Sequence, residues 1–93
     1  MKPDDSRLGI LQVRYFARLR EAFGSDGERL ALPDEVRDVA GLVAWLRRRG
    51  EPWERELAPG RPVRVAVNQD MAEPSTPVRS GDEVAFFPPV TGG

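Results

Sequence analysis

The chain alternates between two hydrophobic periods, one typical of strands and one typical of helices. Apolar side chains recur at every second position in LQVRYFA (Leu11–Ala17) and again in PVRVAVNQ (Pro62–Gln69), which predicts two strands that each bury one face. Between them, DVAGLVAWLRRRG (Asp38–Gly50) spaces its apolar residues at i, i+3, i+4 and i+7, which predicts an amphipathic helix. The helix residues expected to face the core are Val39, Leu42, Val43 and Leu46.

The predicted helix carries signals at both ends. Asp38 is suited to an N-cap, and Gly50 is suited to the stop. Arg47, Arg48 and Arg49 lie near the C-terminus, where cations interact favourably with the helix dipole. The dipole therefore accounts for the three arginines without a nucleic-acid site. A net charge of −1 agrees, because it gives no general attraction to nucleic acid or to an anionic membrane.

Shorter runs fill the rest of the chain. ARLREAFG (Ala17–Gly24) predicts one or two helical turns, Gly27–Pro33 predicts a strand, and Glu51–Leu57 predicts an irregular or helical connector. MAEPSTPV (Met71–Val78) contains two prolines and is expected to form no more than a short edge strand. SGDEVAFF (Ser80–Phe87) combines a turn signal with a last strand.

The predicted order is strand, strand, long helix, strand, weak strand, strand. One helix across a mixed sheet of four to five strands is the simplest way to bury these faces, so the predicted class is α+β. The first two strands should be antiparallel, and if the last strand lies beside the first, the fold is the ubiquitin-like β-grasp. We expect a flexible leader at 1–9, one β-grasp domain at 10–87 and an extended tail at 88–93.

Two absences restrict the chemistry of the side chains. The 93 residues include no Cys and no His, so the chain has no thiol nucleophile, no thiolate or imidazole metal ligand and no imidazole for proton transfer. No carboxylates form a pair whose context implies acid–base catalysis, and no metal site is predicted. No apolar run reaches the ~20 residues that cross a bilayer. We therefore expect a cytoplasmic protein that binds neither membrane nor nucleic acid.

The sequence ends in FFPPVTGG (Phe86–Gly93), which is unusually apolar for a terminus. Its two prolines favour extended, polyproline-like backbone. Thr91 is small, and Gly92 and Gly93 present no side chain, so this end could enter a channel only as wide as a backbone. From these residues alone, insertion into a partner and a frayed or shortened terminus both remain open.

Four stretches together resemble the small, sulfur-carrier subunit family of molybdopterin synthase. They are the end GDEVAFFPPVTGG (Gly81–Gly93), the opening VRYFARLREAFG (Val13–Gly24), AVNQ (Ala66–Gln69) and the helix Asp38–Gly50 between them. The resemblance covers residues 11–93. It implies the ubiquitin-like β-grasp fold.

The resemblance also implies a reaction at the end of the chain. An adenylyltransferase related to the enzymes that activate ubiquitin would use ATP and Mg²⁺ to convert the Gly93 carboxylate to an acyl-adenylate. A sulfur donor protein would then replace AMP and leave a thiocarboxylate on Gly93. The loaded tail would enter the large catalytic subunit of molybdopterin synthase and give its sulfur to a cyclic pyranopterin precursor of the molybdenum cofactor. This chain would bind no cofactor itself and would act as a non-catalytic carrier subunit of a sulfurtransferase complex.

The same resemblance assigns roles to the last eight residues. Gly93 carries the sulfur, and Gly92 supplies slim backbone beside the reacting carbon. Phe86 and Phe87 anchor the root of the tail, one in the core and the other toward a partner. The stem threaded into the partner consists of Pro88, Pro89, Val90 and Thr91.

Three other functions are alternatives to the molybdopterin role. Sulfur carriers for thiazole or cysteine synthesis share the fold and the Gly-Gly end, although the FFPPV stem and the length favour the molybdopterin role. A ubiquitin-like protein modifier would instead join Gly93 to lysines of target proteins. A pure interaction module would have a passive tail.

Overall fold

Eight helices and strands follow one another in residues 8–89, the part of the chain that the computed structural model describes. In chain order they are β1 (Ile10–Tyr15), α1 (Arg18–Phe23), β2 (Gly27–Ala31), α2 (Val39–Arg47), α3 (Trp53–Glu56), β3 (Arg64–Val67), β4 (Asp70–Met71) and β5 (Glu83–Phe87). All the predicted strands and the predicted long helix are present.

The five strands form one mixed sheet in the order β2-β1-β5-β3-β4. β1 pairs antiparallel with β2 and parallel with β5. β3 pairs antiparallel with both β5 and β4. The last strand therefore lies beside the first, and the α+β, ubiquitin-like β-grasp prediction is confirmed.

One face of the sheet packs against α2 and forms the core. Leu11, Val13 and Tyr15 of β1 point to this face, as the alternation predicts, and all three are buried. Val84 and Phe86 of β5 lie beside them and are fully buried. From the helix, the buried side chains are Val39, Leu42 and Leu46. Val43, predicted for the same stripe, is only partly buried at the edge of this core.

The backbone explains why β1, β3 and α2 end earlier than their sequence patterns predict. β1 ends at Tyr15 because Ala17 has φ 53°, a left-handed backbone that cannot continue a strand. β3 ends at Val67 because Asn68 and Gln69 have φ 50° and 72° and turn the chain. α2 ends at Arg47, because the amides of the next three residues bond carbonyls three positions back rather than four.

The start of α2 is capped twice. The Asp38 carboxylate accepts a hydrogen bond from the Gly41 N–H at 2.8 Å, as the N-cap prediction requires. The N–H groups of Val39 and Ala40 donate to the carbonyls of Thr76 and Pro74 at 3.0 and 2.9 Å. The proline-containing segment 73–77 therefore satisfies helix donors rather than extending the sheet. The edge strand β4 is only two residues long and shares only Met71 with the stretch Met71–Val78 in which a short edge strand was expected.

Candidate functional site: the outer sheet face and the base of the tail

β5 leads directly into the C-terminal tail and is paired with β1 and β3 almost to its end. Tyr15 of β1 lies opposite Phe86, and Arg64 of β3 lies opposite Phe87. The Phe86 carbonyl accepts a further hydrogen bond from the Phe16 N–H at 3.1 Å. The tail therefore begins at a fixed point between two neighbouring strands.

Phe86 and Phe87 have opposite environments because successive side chains of a strand point to opposite faces. Phe86 is 0% exposed and packs against Tyr15, with ring centroids 6.1 Å apart. Phe87 is half-buried on the outer face of the sheet, the face away from α2. One phenylalanine thus lies in the core, as predicted. Pro88 and Pro89 follow half-buried, whereas Val90, Thr91, Gly92 and Gly93 lie outside the described residues.

The outer face presents an apolar patch at the same end of the sheet. Met71 is 60% exposed and Phe16 is 44% exposed, and both are large hydrophobic side chains. Ala66, which is buried, and Ala85, which is half-buried, pair across β3 and β5 and lie on this face. We call Phe16, Met71 and Phe87, with the two alanines between them, the outer patch. Exposed apolar clusters of this kind mark interaction surfaces.

Sequence reasoning found Phe87 but missed Phe16 and Met71. Phe16 breaks the alternation of β1, since it is apolar and follows the inward-facing Tyr15. That break was an available signal. Met71 gave none, because its exposure depends on β4 being the edge of the sheet.

Charged residues surround the outer patch. Arg14 lies on the outer face of β1, with a guanidinium nitrogen 3.7 Å from a carboxylate oxygen of Glu83. Arg64 is exposed on β3 opposite Phe87. An apolar centre with a polar rim is the usual arrangement of a protein-binding surface.

Beyond β2, a polar and aromatic corner holds the sheet to the helices. Arg49 donates to both carboxylate oxygens of Glu28, at 2.8 and 2.9 Å. The Tyr15 hydroxyl donates to Glu28 at 2.7 Å and accepts from the Trp53 indole N–H at 3.4 Å. The Arg49 guanidinium lies 5.3 Å from the ring centroid of Trp45 and 5.0 Å from that of Trp53. Arg49 therefore fixes the relative positions of β1, β2 and α3, a role beyond the helix-dipole one predicted for it.

Contacts and burial displace the pKa values of Glu28 and Tyr15 in this corner. Hydrogen bonds from Arg49, and then from Tyr15, hold the pKa of the Glu28 carboxyl below its ordinary value, against the opposing effect of burial. Burial is the main reason why the pKa of the Tyr15 hydroxyl is raised. Glu28 is thus ionised and Tyr15 neutral near pH 7, and the corner has the properties of a structural ion pair.

A second charged cluster lies at the end of the sheet where β5 finishes. The Glu56 side chain is 8% exposed and faces Arg61 at 3.0 Å, Arg55 at 3.3 Å and Arg18 at 3.6 Å. Burial raises its pKa, but hydrogen bonds from Arg61 and Arg55 outweigh this and leave the pKa of Glu56 lowered. The Nε and Nη2 atoms of Arg18 are buried without a hydrogen-bond partner in residues 8–89. The cluster ties α1 and α3 to the segment that leads into β3.

Two absences in the described part of the chain concern metal-ligand clusters and membrane-spanning helices. Residues 8–89 contain no group of three or more His, Cys, Asp or Glu side chains that could hold a metal ion. Within the same residues, no helix is long and apolar enough to span a membrane.

Comparison with known proteins gives this arrangement a family. The sequence profile described as the ThiS family matches residues 13–93. The chain belongs to the ThiS family. The resemblance that the sequence indicated is thereby confirmed, and the match includes the residues that follow the described part of the structure.

Two curated relatives of this ThiS family member are named molybdopterin synthase sulfur carrier subunit. The Haemophilus influenzae protein is 38% identical over 84 residues, which are 90% of this chain and 100% of the relative. The Escherichia coli protein is 37% identical over 84 residues, again 90% of this chain and 100% of the relative.

Solved structures agree on the fold. A Pyrococcus furiosus protein assigned as subunit 1 of a molybdopterin converting factor is 30% identical, with a TM-score of 0.71 over 87% of this chain and 98% of its own. SAMP1 from Haloferax volcanii is 28% identical, with a TM-score of 0.63 over 91% of this chain and 100% of its own. A Helicobacter pylori structure is a complex of subunits 1 and 2 of molybdopterin-converting factor; it matches at 24% identity and a TM-score of 0.61, over 90% of this chain and 99% of its own.

Proposed function

We propose that this chain is the sulfur-carrier subunit of a molybdopterin synthase and that Gly93 is the residue that carries the sulfur. The observation that carries the proposal is the match to two curated sulfur carrier subunits over their whole length. The absence of Cys and His from the sequence is consistent with it, because a carrier that holds sulfur on its terminus needs no thiol of its own.

The first step activates the terminal carboxylate in an adenylyltransferase of the ubiquitin-activating type. A carboxylate oxygen of Gly93 attacks the α-phosphorus of ATP, pyrophosphate leaves with Mg²⁺, and an acyl-adenylate forms. A bare carboxylate resists nucleophiles because its charge repels them and oxide is a poor leaving group. Adenylation removes the charge and supplies AMP as the leaving group.

The second step loads the sulfur. A donor protein supplies a sulfur nucleophile at the level of hydrosulfide, the new carbon–sulfur bond forms, and the bond to AMP breaks. The thiocarboxylate on Gly93 then enters the large catalytic subunit, where its sulfur replaces an oxygen substituent on a cyclic pyranopterin precursor. Water cleaves the bond between this sulfur and the Gly93 carbonyl carbon, which restores the carboxylate. No side chain of this protein acts as acid or base in these steps.

The described residues contribute a fixed attachment point for the tail and a docking surface. β5 pairs with β1 as far as Phe86 and with β3 as far as Phe87, so the tail leaves from a fixed position. From Pro88 to Gly93 an extended chain reaches at most about 20 Å, which sets the depth of a partner's channel. The outer patch lies at the same end and would seat both the adenylyltransferase and the large subunit.

If both partners use the outer patch, loading and delivery alternate. The protein would have to leave the adenylyltransferase before it binds the large subunit. A stable complex of all three proteins would contradict this shared use of the patch.

The experiment that tests the proposal is the intact mass of the protein after incubation with ATP, Mg²⁺, a sulfur donor and a candidate adenylyltransferase. We expect one oxygen to be exchanged for one sulfur, localised to the C-terminal peptide. Gly92→Val, or any extension beyond Gly93, should abolish loading, because the added atoms would block a channel built for bare backbone. Ala31→Val, on the exposed edge strand β2, is a matched control that should load normally. Full loading of Gly92→Val would overturn this mechanism.

A protein-modifier function is the second candidate, favoured by the structural match to SAMP1, a small archaeal modifier protein. In that case Gly93 would form isopeptide bonds with lysines. Adducts that carry this chain on other proteins, found in cell extracts after tryptic digestion, would support the modifier. Thiocarboxylate without adducts would support the sulfur carrier.

A further inference from the structure

An open groove of about 530 Å³ lies between α2 and the β3–β4 edge of the sheet, and its lining includes Met71 of the outer patch and the neighbouring Arg64. Its size is within the range of small-molecule and peptide sites. Most of its lining is apolar and is contributed by the outer side of α2, the segment before β3, and β3 with the residues after β4. The apolar residues of this lining include Val43, Ala44, Ala58, Val63, Val65 and Ala72.

The charges on this groove are mainly positive. Arg47, Arg61 and Arg64 line it, against one carboxylate, Glu73. Arg61 is already engaged with Glu56 at 3.0 Å. Arg47 donates to the backbone carbonyl of Glu54 at 3.1 Å, and neither Arg47 nor Arg64 forms an ion pair with a carboxylate in residues 8–89. The groove is therefore suited to an apolar segment that carries a negative charge.

The C-terminal segment of the same chain is apolar, carries a negative charge at its end and begins close to the groove. Phe87, the last residue of β5, lies directly opposite Arg64 in the sheet, and Arg64 lines the groove. Six residues follow Phe87, and they reach at most about 20 Å when extended. They are apolar or small, and the last one bears the carboxylate that is central to the proposed function.

We propose that in the free protein the α2–β3 groove binds residues 90–93 of the same chain, with the Gly93 carboxylate held by Arg47 and Arg64. Short tethers give effective concentrations of about 1 mM, so an intrinsic dissociation constant near 1 mM is enough to half-fill the groove. The docked state would keep the reactive end from water and from wrong acceptors, and a partner would have to draw it out. The proposal rests on Gly93 as the reactive end.

The test is a comparison of ¹H–¹⁵N spectra of the free protein with and without residues 90–93. We expect deletion to shift the amides of Val43, Ala44, Ala58 and Ala72, and these shifts should not depend on protein concentration. Shifts confined to residues next to Pro89 would overturn the proposal. Groove shifts that grow with protein concentration would also overturn it, since they assign the groove to the tail of a second copy.

The charge contribution is tested in trans with the peptide PPVTGG and the shortened protein. We expect binding at about millimolar peptide, at the same amides, and weaker binding of the peptide carboxamide. Arg47→Gln and Arg64→Gln should each weaken binding by up to about fivefold, the upper limit for an exposed ion pair. Arg79→Gln is the matched control, because Arg79 does not line the groove. Equal binding of the acid and the amide would overturn the assigned role of the arginines.

These readouts use the unloaded protein and no partner enzyme. Failure of the groove to bind the tail would leave the mass test of sulfur loading unaffected. Failure of sulfur loading, with the groove shifts present, would reject the proposed function and keep the docking of a terminal carboxylate.

Discussion

The two faces of the sheet are built from the same strands but differ in environment: the inner face is buried in the core, and the outer face presents exposed apolar side chains. Phe86 and Phe87 are chain neighbours, yet Phe86 is fully buried against Tyr15 and Phe87 is half-buried on the outer face. The inner face is closed by α2 and the corner around Arg49. In residues 8–89 no element covers Phe16 and Met71 on the outer face, which leaves them exposed. Stability and recognition are thus separated by the alternation of side chains along β5.

Truncation on the inner face should have the largest effect on stability. Phe86→Ala removes a fully buried ring and should lower the free energy of unfolding by about 3–5 kcal/mol. Urea denaturation followed by circular dichroism measures the loss. Phe86→Leu keeps most of the volume and should lose less; equal losses for the two variants would argue against a tightly packed site.

A substitution in the corner around Arg49 should have the second largest effect on the free energy of unfolding. Glu28→Gln removes the acceptor of a two-pronged ion pair whose side chains are 26% and 28% exposed, so we expect a loss of about 1–3 kcal/mol. Glu35→Gln is the matched control: its pair with Arg48 is 3.9 Å long and 72% and 63% exposed, and its loss should be about 0–1 kcal/mol. Urea denaturation compares the two, and similar losses would show that the corner contributes no more than a surface pair.

Acid should weaken the folded state through the same carboxyls. The pKa values of Glu28 and Glu56 are lowered in the folded protein, and the unfolded value is about 4.3. The unfolded chain therefore binds protons first as the pH falls, and the free energy of unfolding should decrease from about pH 5 downward. This decrease should be shallower in Glu28→Gln when urea midpoints are measured at a series of pH values. An unchanged slope would contradict the assigned pKa direction.

The outer patch should show the smallest effect on stability. Phe87→Ala should change the free energy of unfolding by less than about 1 kcal/mol, because the ring lies at the surface. Its binding to the large subunit should fall at least about tenfold, as for other aromatic residues at interface centres. Calorimetric titration of the large subunit with the Phe87→Ala and Met71→Ala variants measures this. Unchanged affinity in both variants would show that the large subunit binds outside the outer patch.

Much of the inner face could be predicted from sequence, because it depends on local periodicity. The helix from Val39, its Asp38 cap and the inward positions of β1 all follow from patterns within a few residues. The partnership of Arg49 with Glu28 could not be predicted, since 21 positions separate them and Arg49 is one of three adjacent arginines.

The candidate site was predictable only in part. The Phe86–Gly93 sequence identified the tail through its family resemblance, whereas Met71 became part of the surface only through the strand order. The assignments to Val90, Thr91, Gly92 and Gly93 stay predictions, because these residues lie outside the described part of the chain.

The segment 73–77 has a consequence for protein engineering. Loops between strands are usually where a chain accepts inserted residues. Here the carbonyls of Pro74 and Thr76 each hold one of the first amides of α2, so the spacing between these carbonyls is fixed by the helix. A peptide tag or fluorophore inserted between them would displace one carbonyl from its amide and loosen the first turn of the helix. This exposed loop is therefore a poor place for a probe, although its composition would recommend it.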